Sequence, residues 1–398
     1  MPWKDASPME QRVRFLAEER EEVASLTELC DRYGISRKTG YKWIRRFEEE
    51  GAPGLAERSR RPHGCAHATA TEAVERLVEL RRHHPSWGAK KLLHVLGKRE
   101  PQLALPSRST CAEILKRHGL VTSRKRRSYP GHPGPPQHRM DAPNEVWTAD
   151  FKGHFRTRDG LYCYPLTVVD GFSRYLLGCQ SLHSTAVELA RPVFTRLFAE
   201  YGLPRVIRTD NGVPFATTAL GRLSTLSVWW VRLGIFPELI EPGCPQQNGR
   251  HERMHRTLKR EATRPPSGNL AAQQVRFNRF RHEYNQERPH EALGQETPGS
   301  RYSPAPRQLP RKLAPIEYPA HFEERYVSAN GGIRWNCRWV CVTHTLAGEY
   351  VGLEEVGDGL WDVYFGPLLL GRLDERDYRI EDQNGRRIRR QVSPMSPD

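Results

Sequence analysis

The segment VTSRKRRSYPGHPGPPQHRM, residues 121–140, forbids a single continuous core. Its run PGHPGPP can neither close a helix nor pair as a central strand. The consecutive bases Arg124, Lys125, Arg126 and Arg127 have no acid within the segment to offset them. A chain that passes through such a stretch divides into parts, and 398 residues suffice for roughly two to four domains. The segment reads as a basic linker over 123–142, lying along a polyanion.

Before the linker the apolar residues recur at helical spacing. In SLTELCDRYGISRKTGYKWIRRFEEEG, Leu26, Leu29, Cys30 and Tyr33 form one stripe. Gly34 breaks the helix, Ile35 anchors the turn and Ser36 is a natural N-cap. A second helix follows with Trp43, Ile44 and Phe47 on one face, while Arg37, Lys38, Tyr41, Lys42, Arg45 and Arg46 lie largely off it. This is a helix-turn-helix pattern over 8–62, its second helix offered to a DNA groove. The bland alternative is a helical hairpin with a solvated basic face. The net charge of +15, from 62 Lys and Arg against 47 Asp and Glu, favours double-stranded DNA as partner. GAPGLAERSRRPHG then reads as a linker whose Arg58, Arg60 and Arg61 touch phosphates. Residues 70–122 are expected to form a second helical, helix-turn-helix-like domain, with helices in HPSWGAKKLLHVL and PSRSTCAEILKRHGLV and Ser86 and Ser107 near their caps. Dimerisation is the alternative role for that domain.

After the linker the texture changes. NEVWTADFKGHF, then LYCYPLTVVDGFSRYLLGCQ with a turn at Asp170 and Gly171, predict three strands. A helix fits 184–201, PRVIRTDNG is a short buried strand, a helix fits 216–233, IFPELIE is a strand, and a basic helix spans 244–261. Residues 270–295 extend the helical pattern. The order β-β-β-α-β-α-β-α over 143–300 implies a mixed five-stranded sheet flanked by helices. Period-two patterning over 315–382 implies a small C-terminal β-barrel. Cys337 and Cys341 are expected on one side of a single strand, and the scattered cysteines assemble no zinc set. There is no secretion signal, no run long enough to span a membrane and no phosphate loop for ATP, so a cytoplasmic, nucleoid-associated protein is expected.

Phosphodiester chemistry needs carboxylates that converge from different elements to hold divalent cations. Asp150 sits in the first strand, Asp210 ends the fourth, and Glu252 lies in the first turns of the basic helix. At 100° per residue, Lys259 falls about 20° from Glu252, with Met254 and Leu258 opposite. Each acid has a bland reading: a solvent-facing strand end, a turn former in DNG, a helix-start acid. Their occurrence together in this element order favours a metal site, whereas Asp170 is better explained as a hairpin-turn residue.

At WTADF, RTDNG and PQQNGRHERMHRTLKRE the chain resembles the integrase-core transposases of bacterial insertion sequences, relatives of retroviral integrases. The 41 residues between Asp210 and Glu252 fit that family's spacing. SRKTGYKWIRRF, GLAERSRRP and YNQERPHEALGQETP also resemble its branch with N-terminal helix-turn-helix domains. The chain departs from retroviral integrases in lacking an N-terminal His/Cys zinc domain. The resemblance implies a ribonuclease-H-like core in which Asp150, Asp210 and Glu252 are catalytic and bind two Mg²⁺, with Mn²⁺ able to substitute. It implies that Asn248, His255 and Lys259 position DNA, that the 3′ ends of the element are hydrolysed and joined to target DNA, and that a homodimer or larger assembly acts without ATP. Two other readings stay open: a catalytically silent DNA-binding regulator derived from a transposase, and a structure-specific nuclease.

Overall fold

The computed structural model describes residues 7–59, 68–121, 137–382 and 385, in two compact units, Met1–Ala68 and Thr69–Asp398. The first unit holds α1 (Pro8–Arg20), α2 (Leu26–Arg32) and α3 (Arg37–Glu50). Each opens on a serine whose hydroxyl accepts a first-turn N–H: Ser7 from Glu10, Ser25 from Glu28, Ser36 from Thr39. At Gly40 the helices meet so closely that a Cβ would stand 2.7 Å from Cys30 Sγ. Phe15, Leu16, Leu29, Cys30, Trp43 and Leu55 form the core. Leu55 lies within the expected linker, so that segment begins as a packed part of this domain.

The second unit starts with α4 (Thr71–His83), α5 (Ala89–Arg99) and α6 (Arg108–Arg117), around Leu77, Trp87, Leu92, Cys111 and Leu115. Ser107 caps α6 as expected, but α5 starts at Ala89 with Gly88 as its cap. Ser86 instead receives a 3.3 Å hydrogen bond from Arg288. This helical group docks on residues 283–296 through His84–Glu283 at 2.9 Å, Lys98–Glu296 at 3.1 Å and the Lys90–Glu291 pair.

The central sheet comprises β1 (Val146–Phe151), β2 (Phe155–Arg156), β3 (Tyr162–Asp170), β4 (Leu176–Leu182), β5 (Val206–Thr209) and β6 (Phe236–Leu239). Its order is β4-β3-β1-β5-β6, with β3 antiparallel to both neighbours and β1, β5 and β6 parallel. The two-residue β2 extends the edge of β3. This is the ribonuclease-H-like arrangement. One face is covered by α7 (Val187–Tyr201) and α8 (Thr225–Arg232), which bury Phe194, Phe198 and Trp230 against Trp147, Leu166 and Ile207. The other face takes α9 (Gly249–Glu261) and α10 (Leu270–His282), through Met254, Leu258, Phe277 and Phe280. The helix expected from 216 starts only at Thr225, where Ser224 and Ser227 form a capping box. Asp170 is the turn residue it was read as: its carboxylate accepts the N–H groups of Asn144 and Ser173, each at 2.8 Å.

The C-terminal strands are β7 (Glu323–Tyr326), β8 (Gly332–Trp335), β9 (Arg338–Cys341), β10 (Tyr350–Gly357), β11 (Leu360–Phe365), β12 (Leu368–Asp374) and β13 (Arg379–Glu381). They form an antiparallel sheet in the order β13-β12-β11-β10-β7 and a separate β8–β9 hairpin. Among the described residues no pairing closes this sheet, so the expected barrel is an open sheet. It buries Val351, Leu353, Val363 and Phe365 together with Val228 and Val231 of α8, and a sheet covered by a helix need not close on itself. Asn336 and Cys337 form the left-handed turn of the hairpin, so Cys337 and Cys341 do not share a strand. Among the described residues no helix is long and apolar enough to cross a membrane.

Candidate active site

Parallel pairing sets Ala149 of β1 beside Thr209 of β5. Asp150 and Asp210, each one residue further along, therefore leave adjacent strands at the same sheet edge. Asp210 also accepts the Gly212 N–H at 3.1 Å, so its turn chemistry and its place at the edge coexist. Glu252 stands exposed in the first turn of α9. The Asp150 carboxyl is pushed up from 3.8 to about 7, first by burial and then by the negative charge of Asp210, with Glu252 adding to it and Lys152 opposing. The three acids thus act in one field. Burial is the larger cause, and among the described residues the three acids do not bring ligand atoms within 4.8 Å of one another, whereas Asp150, His251 and His255 do. Hard oxygen donors at this spacing suit a small divalent cation that draws them in.

Behind Asp150 lies a polar layer that the sequence reading did not foresee, since His251 was given no role and His255 was expected on DNA. His251 is fully buried, between the Thr148 hydroxyl at its Nδ1 and the Thr167 hydroxyl at its Nε2, each at 2.7 Å. His255 Nε2 reaches the same Thr167 hydroxyl at 2.7 Å, and its Nδ1 lies 3.5 Å from Asp150 Oδ2. Burial drags the His251 pKa to about 3 and holds that of His255 well below the ordinary range. The available signal was the four-residue spacing of the histidines in RHERMHR, which puts both rings on one helical face. A second unassigned feature is the buried pair Arg208–Glu238, at 3.0 Å, which joins β5 to β6 two residues before Asp210. His138 adds its carbonyl to Arg208 at 2.6 Å.

The expected DNA contacts fare unevenly. Arg37, Lys38, Tyr41, Lys42 and Arg45 are exposed on α3, whereas Arg46 is half-buried over the Trp43 ring. Arg45 pairs with Glu49 at 2.7 Å and Arg58 pairs with Glu50. Arg60, Arg61, Arg124, Lys125, Arg126 and Arg127 lie outside the described residues. Lys259 is exposed on α9. His255 cannot meet DNA as expected, because its ring is turned into the sheet, with 6% of the side chain exposed. Asn248 is likewise buried at 5% exposure, and its Oδ1 has no hydrogen-bond partner among the described residues.

The raised Asp150 pKa sets a pH dependence. The folded state holds this proton more tightly than the unfolded chain, so the associated stability is complete below about 4 and is lost as pH rises through about 7. Without metal, stability is expected to fall by up to about 4 kcal/mol over that window. Saturating Mg²⁺ should remove the fall. Thermal melts in chelator across this range, beside an Asp150→Asn control, check it, and identical profiles for the two proteins would refute the shared field.

Models of the integrase core domain match residues 140–245 and 233–298, a helix-turn-helix model matches 13–63, and a homeodomain-like model matches 39–115. The chain is 28% identical over 259 residues to an insertion element IS407 protein of Burkholderia multivorans, covering 63% of this chain and 84% of that one. It is 29% identical over 241 residues to an insertion element IS476 protein of Xanthomonas euvesicatoria, covering 59% and 66%. The HTLV-2 integrase catalytic core in complex with magnesium superposes with a TM-score of 0.33 at 18% identity, over 41% of this chain and 99% of that one, too low to add weight. Integrase-core models thus tile the central sheet, helix-turn-helix models lie ahead of it, and the chain is similar to insertion-element proteins over more than half of its length.

Proposed function

We propose that the protein is a DNA transposase of a bacterial insertion sequence. It binds the terminal inverted repeats, hydrolyses the 3′ ends and joins them to target DNA. The observation that carries this reading is the register that brings Asp150 and Asp210 out of adjacent parallel strands, with Glu252 in the first turn of α9, the helix tied to β1 through His251 and Thr148. These three carboxylates would hold two divalent cations, Mg²⁺ or Mn²⁺, which when bound activate the attacking oxygen and stabilise the leaving one.

The protein's own groups then have distinct tasks. Asp150 is half-buried at the end of β1, with 21% of its side chain exposed, so it is shielded yet open to a cation. Lys152 offsets part of the negative charge there. Arg253 and Lys259, exposed on α9, offer cationic contacts for the DNA backbone beside the carboxylates. In the first step water breaks a phosphodiester bond and leaves a 3′-hydroxyl. In the second that hydroxyl bonds to a target phosphorus, and a target 3′-oxygen departs with the proton. Each target bond broken is matched by one formed, so no ATP is needed. Two ends must meet, so at least two copies act together, in the cytoplasm on nucleoid DNA.

Labelled end DNA, a supercoiled target and Mg²⁺ test the reading directly. Joined product supports it, and tight end binding with neither nicking nor joining in Mg²⁺ or Mn²⁺ would replace it with a regulator. Removing one exposed base of α3, Lys38→Ala, is expected to weaken end binding and to lower the salt-dependence slope by about 0.9. A binding isotherm series in rising salt measures this. An unchanged slope would remove Lys38 from the phosphate contacts.

A further inference from the structure

Three groups converge on the Thr167 hydroxyl: the Asp150 carbonyl at 2.9 Å, and His251 Nε2 and His255 Nε2, each at 2.7 Å. A carbonyl can only accept, so the single hydroxyl proton goes to Asp150 O. The oxygen's two lone pairs then accept from both rings, which must each carry their proton on Nε2. The Thr148 hydroxyl has two acceptors in reach, Val169 O at 3.3 Å and His251 Nδ1 at 2.7 Å, and the shorter contact takes its proton, so both His251 nitrogens are engaged. His255 differs. Its Nδ1 is a bare lone pair, held 3.5 Å from Asp150 Oδ2 on a ring that cannot swing to water.

Donor atoms of Asp150, His251 and His255 all lie within 4.8 Å of one another, but the tautomers leave only the His255 nitrogen available. A lone pair facing a carboxylate oxygen is repulsive until a proton on Asp150 or a cation stands between them, and a cation that displaces the proton takes the same place. An octahedral ion with bonds of about 2.1 Å keeps adjacent donors about 3 Å apart, a small adjustment from the observed spacing.

We propose that His255 Nδ1 is a ligand of the cation held by Asp150, making one metal position a mixed nitrogen and oxygen site. The proposal rests on the metal reading above and deepens it by naming a ligand and an ion preference. Mg²⁺ prefers oxygen alone, whereas imidazole suits first-row transition ions, so this position favours Mn²⁺ over Mg²⁺. Thr167 is a positioning residue, because its hydroxyl fixes the His255 tautomer and ring orientation.

The test uses the full chain with Mn²⁺ and pulsed electron paramagnetic resonance, which reads ¹⁴N coupling to the ion directly. The wild type is expected to show imidazole ¹⁴N modulation. His255→Ala should lose it, with Mn²⁺ affinity falling roughly 10–100-fold and Mg²⁺ affinity falling less. Thr167→Val, close in shape but unable to accept from Nε2–H, should weaken the modulation. Mn²⁺ that binds in an Asp150-dependent way with no ¹⁴N modulation in the wild type would overturn the ligation and leave the carboxylate site standing. Absence of any Asp150-dependent Mn²⁺ binding would defeat the metal reading itself, and this proposal with it. The wild-type spectrum decides the matter even where a variant fails to fold.

Discussion

Asp150→Asn is expected to abolish end joining and, in the same protein, to raise stability above neutral pH when metal is absent. Both effects come from one fact. The carboxyl is half-buried beside Asp210 and within the field of Glu252, so its negative charge disfavours the metal-free fold. The amide has nearly the same shape and no charge. It relieves the repulsion and forfeits the cation that needs that charge. Joining should fall by at least about 10²–10³-fold, the scale for losing one preorganised electrostatic partner of a transition state. End binding should persist, because the α3 residues expected to read DNA belong to the other compact unit. A joining assay and a melt in chelator, run on the same preparation, measure both. Wild-type joining in the variant would remove Asp150 from the site, and a loss of joining accompanied by a lower melting temperature would point to misfolding instead.

Glu238→Ala is expected to cost about 3–5 kcal/mol, the largest stability loss among these predictions. Arg208 is 1% exposed and Glu238 5%, and among the described residues the substitution leaves the buried guanidinium only the His138 carbonyl as hydrogen-bond acceptor. Burial already lowers the Arg208 pKa, and the Glu238 charge is what opposes that. Replacing both residues with apolar ones, Arg208→Met with Glu238→Leu, should restore most of the loss, since a buried ion pair adds little over a well-packed apolar pair. Denaturant unfolding of the three proteins tests this. A loss below about 1 kcal/mol in Glu238→Ala would mean that water reaches the pair. Because Arg208 precedes Thr209 and Asp210 in β5, the single variant should also blur the position of that carboxylate and depress joining.

Much of the architecture was legible because it depends on local rules. Ser36 and Gly34 mark the helix-turn-helix turn through capping and left-handed geometry. Strand alternation and turn chemistry marked β1, β3 to β6 and their order. Asp150 and Asp210 were legible as strand-end acids, and Met254 and Leu258 as the packing stripe of α9. The errors fall where a residue had two local options. Ser86 looked like a cap until Arg288, distant in sequence, took its hydroxyl. The alternating C-terminal strands were equally consistent with a barrel or an open sheet, and the apolar face of α8 decided for the sheet.

His255 shows the same limit at the site. Helical periodicity put it next to Glu252 and beside His251, and nothing local said whether its ring would face phosphate or protein. By itself the sequence determined the elements, their order and the acids at their ends, since each of these depends on a few neighbouring residues. Only the tertiary structure decided which way His255 points, that the last sheet stays open, and that Arg208 meets Glu238. Those outcomes depend on partners far along the chain, 88 residues away for His255 and Thr167, and a helix's period says which side chains share a face without saying what that face will meet.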